Sequence, residues 1–119
     1  MEFNVNGKER ELRFGLRFIR ELDELYKVDY EGIKFGMGVN LAYLGLNQYN
    51  PTTLVDVITA SMAHNSNAPK LRSVENAIEN YAEENDGLDQ LFEDVLDEMG
   101  KSPVVKDSLK RFKETATQN

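Results

Sequence analysis

Over the first fourteen positions apolar and polar residues alternate on either side of Asn6-Gly7, a pair strongly favoured in the two-residue turn of a β-hairpin. Pairing across that turn sets Val5 opposite Lys8 and Phe3 opposite Arg10, so that Phe3, Val5, Leu12 and Phe14 share one face. That face is expected to cover helices. After Gly15 the period becomes helical: Leu16, Phe18, Ile19, Leu22, Leu25 and Tyr26 form a broad apolar stripe opposite Arg17, Arg20, Asp23 and Glu24. The stretch from Val28 to Lys34, with Gly32 and short polar residues, reads as a linker.

A second helical pattern runs from about Phe35 to Tyr49 and differs in kind from the first. Phe35, Val39, Ala42, Leu46 and Tyr49 make one stripe, while Met37, Leu41 and Leu44 make another, leaving few charges anywhere on the cylinder. A helix apolar all round has to be buried. This segment is therefore either the central helix of the domain or has one face covered by another chain.

Asn50-Pro51 restarts the helix, the asparagine as N-cap and the proline at the first helical position, where its missing N–H costs nothing. Leu54, Val55, Ile58 and Met62 then point inward, and the small polar segment His64 to Pro69 reads as an exposed loop. A fourth helix, capped by Ser73, buries Val74, Ile78 and Tyr81. A fifth, after Asp86-Gly87, buries Leu88, Leu91, Phe92, Val95, Leu96 and Met99 and stops at Gly100, placed as a C′ glycine. Ser102-Pro103 opens a sixth, with Val105, Leu109 and Phe112 inward. The fold expected is mainly α, an N-terminal β-hairpin followed by about five to six short helices. It forms one domain over 1–119: hairpin 1–14, central helices 15–63, loop 64–72, C-terminal helices 73–115 and polar tail 116–119.

Composition narrows the function classes. A chain of 119 residues can bury roughly two thirds of its unfolded surface, and 40% hydrophobic with 29% charged residues is the balance of a globular protein. With no cysteine there is no disulfide framework, thiolate metal site or cysteine nucleophile. The start lacks a secretory signal and no stretch approaches the roughly 20 apolar residues of a membrane span, so a cytoplasmic protein is expected. A net charge of −7 disfavours a phosphate backbone as partner. Charge is also sorted along the chain. Ser73 to Gly100 holds ten acidic residues and no basic one, whereas Lys101 to Lys113 holds five basic residues and one acid. The plain reading is solvated faces with some intramolecular pairing; the sharper one is charge-complementary contact with a neighbouring copy or a basic partner.

The motifs that carry chemistry are not completed. His64 has no second histidine and no carboxylate at helical spacing, and no serine sits in Gly-x-Ser-x-Gly. Gly36-Met37-Gly38 begins like a phosphate-cradling loop, but Leu41 occupies the third glycine position and no Lys-Ser/Thr pair follows, so close packing or a loose helix start explains the glycines better. Ala82 to Glu93 imitates a calcium loop in Glu84, Asp86, Gly87 and Glu93, yet its first ligand position is Ala82. Glu93 and Asp97 are spaced as a solvated pair on one helix face. No catalytic residue, metal ligand or cofactor is therefore expected. What remains is contact: the surplus of apolar surface nominates Phe35, Met37, Leu41, Tyr43, Leu44 and Tyr49 as a protein-binding set, rich in the aromatic and methionine anchors that dominate interfaces.

Four blocks carry a resemblance: Phe-Asn-Val-Asn-Gly-Lys-Glu at the start, Leu-Arg-Phe-Gly-Leu-Arg-Phe-Ile-Arg-Glu-Leu-Asp from Leu12, Ile-Lys-Phe-Gly-Met-Gly-Val-Asn-Leu from Ile33, and Asn-Pro-x-x-Leu-x-Asp-Val-Ile from Asn50. In order and spacing they resemble the tail assembly chaperones of long-tailed phages of Gram-positive bacteria, along most of the chain. The resemblance implies a protein of the host cytoplasm that binds the aggregation-prone tape measure protein during tail morphogenesis and is absent from the mature virion. It also implies a longer frameshifted form recruiting tail tube protein, this chain being the short form. Such a protein is no enzyme, needs no cofactor, and has no nucleic-acid or membrane partner. Self-association into a ring or spiral would let a small protein cover a long client. The competing reading is a small phage regulatory or nucleic-acid-associated factor using the basic residues Lys101, Lys106, Lys110, Arg111 and Lys113.

Overall fold

The computed structural model describes the backbone of residues 1–117, together with all their side chains except those at positions 28, 30, 33–36 and 111–117. The first hairpin forms as the pattern requires. β1 (Glu2–Val5) pairs with β2 (Lys8–Glu11) with Val5 opposite Lys8 and Phe3 opposite Arg10. Asn6 and Gly7 both take positive φ, 55° and 78°, which is the turn geometry that the asparagine-glycine pair tolerates. Phe3, Val5, Leu12 and Phe14 are all buried.

α1 (Leu16–Leu25) follows, with Phe18 and Leu22 buried and Ile19 and Tyr26 packed at the edge of the core. Leu16 and Leu25, at the two ends of the same stripe, stay 68% and 56% exposed. Neighbouring helices cover only the middle of this short cylinder.

The segment expected as a linker is a second hairpin, β3 (Lys27–Tyr30) and β4 (Ile33–Gly36), with Tyr30 opposite Ile33. Its turn repeats the chemistry of the first. Glu31 and Gly32 have φ of 52° and 81°, and the Gly32 N–H donates to the Asp29 carboxylate at 3.2 Å, just as Gly7 N–H donates to the Asn4 side chain at 3.0 Å. The helix expected from Phe35 therefore starts later, as α2 (Gly38–Asn47).

α3 (Pro51–Ser61) begins with the expected cap: Asn50 Oδ1 accepts from the N–H groups of Thr52 and Thr53, and Pro51 stands in the first turn. α4 (Leu71–Asn85) starts two residues before Ser73, which does not cap it; Leu71 and Arg72 are good helix formers and the helix needs no hydroxyl to begin. α5 (Asp89–Lys101) runs through Gly100, which is not its C′ residue. Its end is set by Pro103, which holds Ser102 extended (φ −76°, ψ 122°) and opens α6 (Pro103–Thr117). α6 thus reaches into the stretch expected as a tail, and Phe112 lies outside the described side chains. The architecture is a mainly α fold, an N-terminal hairpin and six helices with a second hairpin between α1 and α2.

One apolar cluster joins the inner face of the first hairpin to all six helices, and Phe18, Leu22, Leu46, Ile58 and Phe92 are among its largest enclosed side chains. α1 and α3 run antiparallel: the Arg13 N–H donates to Ser61 O at 2.9 Å at one end, and the Tyr26 hydroxyl donates to Asp56 Oδ2 at 2.7 Å at the other. Burial, and then the hydrogen bond and negative charge of Asp56, push the Tyr26 phenol well above its ordinary value. A raised phenol pKa stabilises the fold fully below about pH 10 and loses that contribution as pH rises through the folded value. Tyr26→Phe should cost about 1 kcal/mol at neutral pH and should narrow its gap to wild type under strongly alkaline conditions. Denaturant titrations at the two pH values check both.

Candidate protein-binding surface

α2 carries no charged residue, Gly-Val-Asn-Leu-Ala-Tyr-Leu-Gly-Leu-Asn, and touches α1, α3, α5 and α6. Two glycines fix its position. A Cβ at Gly38 would press on the backbone of Leu22 and Asp23 and lie 2.6 Å from Leu22 Cβ, so α1 and α2 meet as closely as two main chains can. The Gly38 N–H donates to Asp23 Oδ1 at 2.9 Å. Asp23 thereby supplies from α1 the cap that Met37, the residue at the N-cap position, does not provide. Gly45 abuts the Thr53 side chain on α3 in the same manner.

The C-terminal end is closed by two backbone bonds, Asn50 N–H to Gly45 O at 3.0 Å and Tyr49 N–H to Leu46 O at 3.0 Å. Tyr49 sits at the left-handed position, φ 56°, where glycine is usual. Its ring meets Phe92 edge-on at 5.1 Å while 46% of the residue stays exposed.

Held at both ends, α2 has only one possible rotation. Val39, Ala42 and Leu46 face the core. Leu41 and Leu44, 36% and 43% exposed, stand outward. Met37 precedes them and Gln48 follows, at spacings of four, three and four residues, so these positions form one ridge along the helix. Along the chain the other polar positions of this helix and its end are amides rather than charges: Asn47 and Asn50 are exposed, and Asn40 is half-buried with its Oδ1 enclosed and unpartnered.

Of the six residues nominated from the sequence, Met37, Leu41 and Leu44 thus share a ridge, Met37 being half-buried. Tyr49 stands past its C-terminal end, Tyr43 packs partly against the core, and the Phe35 side chain lies outside the described residues. Sequence reasoning missed the exposure of Leu16, Leu25 and Leu71. The available signal was position: each lies at the first or last residue of a helix, where neighbours do not reach.

The remaining motifs resolve locally. His64 Nε2 lies 3.0 Å from Glu11 O and ties the loop to β2. Asp86, in the left-handed region, and Gly87 turn the chain out of α4, with Gly87 N–H donating to Ala82 O at 2.9 Å. Ser102 caps α6, its Oγ accepting from Val105 N–H and its hydroxyl donating to Phe14 O. Lys101 pairs with Asp97 at 3.2 Å and Glu98 at 3.3 Å, all on α5, and these carboxylates raise its ammonium pKa. Among the described residues no three histidine or carboxylate groups gather as a metal site, and no helix is long and apolar enough to cross a membrane.

α2 thus shows two leucines to water on a helix that carries no charged residue. The family model for phage tail assembly chaperone proteins (TAC) matches residues 2–114, and the chain belongs to that family. Membership places its action in phage tail assembly and points to a non-enzymatic role. No curated protein and no solved structure matches the chain.

Proposed function

We propose that this chaperone binds the tape measure protein in the host cytoplasm and keeps it soluble until the tail tube assembles around it, after which the chaperone is left out of the virion. The observation that carries this reading is the Leu41–Leu44 ridge, left in water on a helix whose other face is wholly enclosed. Met37 and Tyr49 extend the surface, and Tyr43 on α2 and Phe35 on β4 belong to the proposed set as residues of the same apolar stretch of sequence. An amphipathic helical client would lay its apolar stripe on this ridge, driven by about 25 cal/mol for each Å2 of apolar area removed from water. A long client needs many copies, so the chaperone acts as an oligomer, a ring or spiral wound along it. Its net charge of −7 would keep coated complexes apart. Tail tube protein would be recruited by a longer frameshifted product.

Co-expression with the tape measure protein tests the reading. The expected result is a clear rise in soluble client and its co-purification with this chain. A client that stays insoluble and fails to co-purify refutes it.

A further inference from the structure

α3 and α4 bound a groove of about 340 Å3 that no residue of the α2 ridge lines. Val55 on α3 and Ile78 on α4 form its apolar floor, and Leu71, 50% exposed, stands at one lip. Every ionisable group in the lining is a carboxylate: Asp56, Glu75 and Glu79. Asp56 is engaged by the Tyr26 hydroxyl at 2.7 Å. Glu75 and Glu79 are exposed and make no ion pair among the described residues. Lys70 and Arg72 stand at the Leu71 end, outside the lining, so the negative potential grows along α4 toward Glu79.

These features define the chemistry of an occupant. The floor takes an apolar side chain. Two carboxylates one helical turn apart, about 6 Å, take two cations at the same spacing, which is the spacing of Lys or Arg residues on one face of a partner helix. A small free cation would leave the floor wet, and an uncharged apolar segment would strip water from both glutamates without pairing them. The basic helix of the same molecule is engaged elsewhere, α6 packing against α2 and α5.

We propose that the α3–α4 groove docks a helical segment of another protein, with an apolar anchor against Val55 and Ile78 and two basic residues, one turn apart, against Glu75 and Glu79. The ridge on α2 carries no charge, so the chain has two contact surfaces of unlike selectivity, one for an apolar stripe and one for an apolar anchor flanked by positive charge. The inference stands on the groove and does not depend on the partner proposed for the ridge.

Titration of the full chain against three synthetic amphipathic helical peptides, followed by fluorescence anisotropy, tests it. The first carries leucine with lysines one turn apart beside it, the second has glutamate for lysine, and the third has serine for leucine. The lysine-leucine peptide is expected to bind and to shift the methyl NMR signals of Val55, Leu71 and Ile78, and each of the others to bind at least about tenfold more weakly. Glu75→Gln/Glu79→Gln should weaken the first peptide about tenfold. Glu83→Gln/Glu93→Gln removes the same charge from exposed positions outside the lining and should leave affinity within about twofold of wild type, which separates docking from attraction to net charge. The peptide series on wild type decides the matter should a variant misfold. The proposal is overturned if the lysine-leucine peptide does not bind, if the serine or glutamate peptide binds as well, if the two double variants weaken binding equally, or if the shifted methyl groups lie outside the groove. It is overturned in favour of a second copy of the chain as occupant if wild type gains mass with concentration and Glu75→Gln/Glu79→Gln alone prevents it. The titrations contain no tape measure protein, so failure here leaves the reading of the ridge standing.

Discussion

Leu41→Asp/Leu44→Asp is expected to abolish co-purification of the tape measure protein while leaving the chaperone folded. The magnitudes favour a large effect. The exposed parts of the two leucines contribute about 1 kcal/mol each when a client covers them, but two carboxylates pressed against an apolar stripe without partners cost several kcal/mol more. Client affinity should fall by at least about a hundredfold. The folded state loses less, about 1 kcal/mol per site, because both positions are partly solvated already and aspartate is only moderately poor in a helix. Leu46→Asp, two residues further on and fully enclosed, is the control that should unfold the chain. Thermal melts beside pull-downs separate the three cases. If the ridge double variant melts out like Leu46→Asp, the ridge belongs to the core and the coating reading fails.

The second large effect concerns how α2 is mounted. Gly38→Ala adds one methyl group where the opposing atoms are the main chain of Leu22 and Asp23, which cannot swing aside as a side chain could. α1 and α2 must separate, and the Asp23 carboxylate loses its bond to the Gly38 N–H. A loss of about 3 kcal/mol is expected, overpacking and the lost charge-assisted bond together. That is a large share of the roughly 5–15 kcal/mol that holds a domain of this size. Gly45→Ala should be milder and partly rescued by Thr53→Ala, because there the crowding atoms belong mostly to a side chain. Chemical denaturation of the three variants orders them. A Gly38→Ala protein as stable as wild type would mean that the two helices are not in backbone contact.

The role of Gly38 was legible in the Gly36-Met37-Gly38 pattern. The pattern sets a ligand loop against close packing or a loose helix start, and close packing is what Gly38 does. The second hairpin was harder to see. Residues 28, 30, 33 and 35 are apolar and alternate around Glu31-Gly32, a strand signal with a turn at its centre. It was masked because glutamate is an uncommon occupant of the first left-handed position and because the helical spacing of Phe35, Val39 and Ala42 extends back over it. Asp29, placed to accept the Gly32 N–H, was the local clue. The ends of helices failed for a similar reason. Ser73 and Gly100 have the right identity for caps, but capping is decided by where the chain leaves the helix, and Lys70 and Pro103 set those points.

The alternation around Asn6-Gly7 sufficed for the first hairpin and its register, and the helical spacing of apolar residues sufficed for six helices and most of their inner faces, because both are local consequences of backbone period and turn chemistry. For α2 periodicity could say only that the helix is apolar on both sides. Which side faces water depended on distant partners: Leu22 and Asp23 against Gly38, Thr53 against Gly45, and Phe92 against Tyr49. Those contacts fix the helix rotation, and rotation is a property of packing that no local pattern contains.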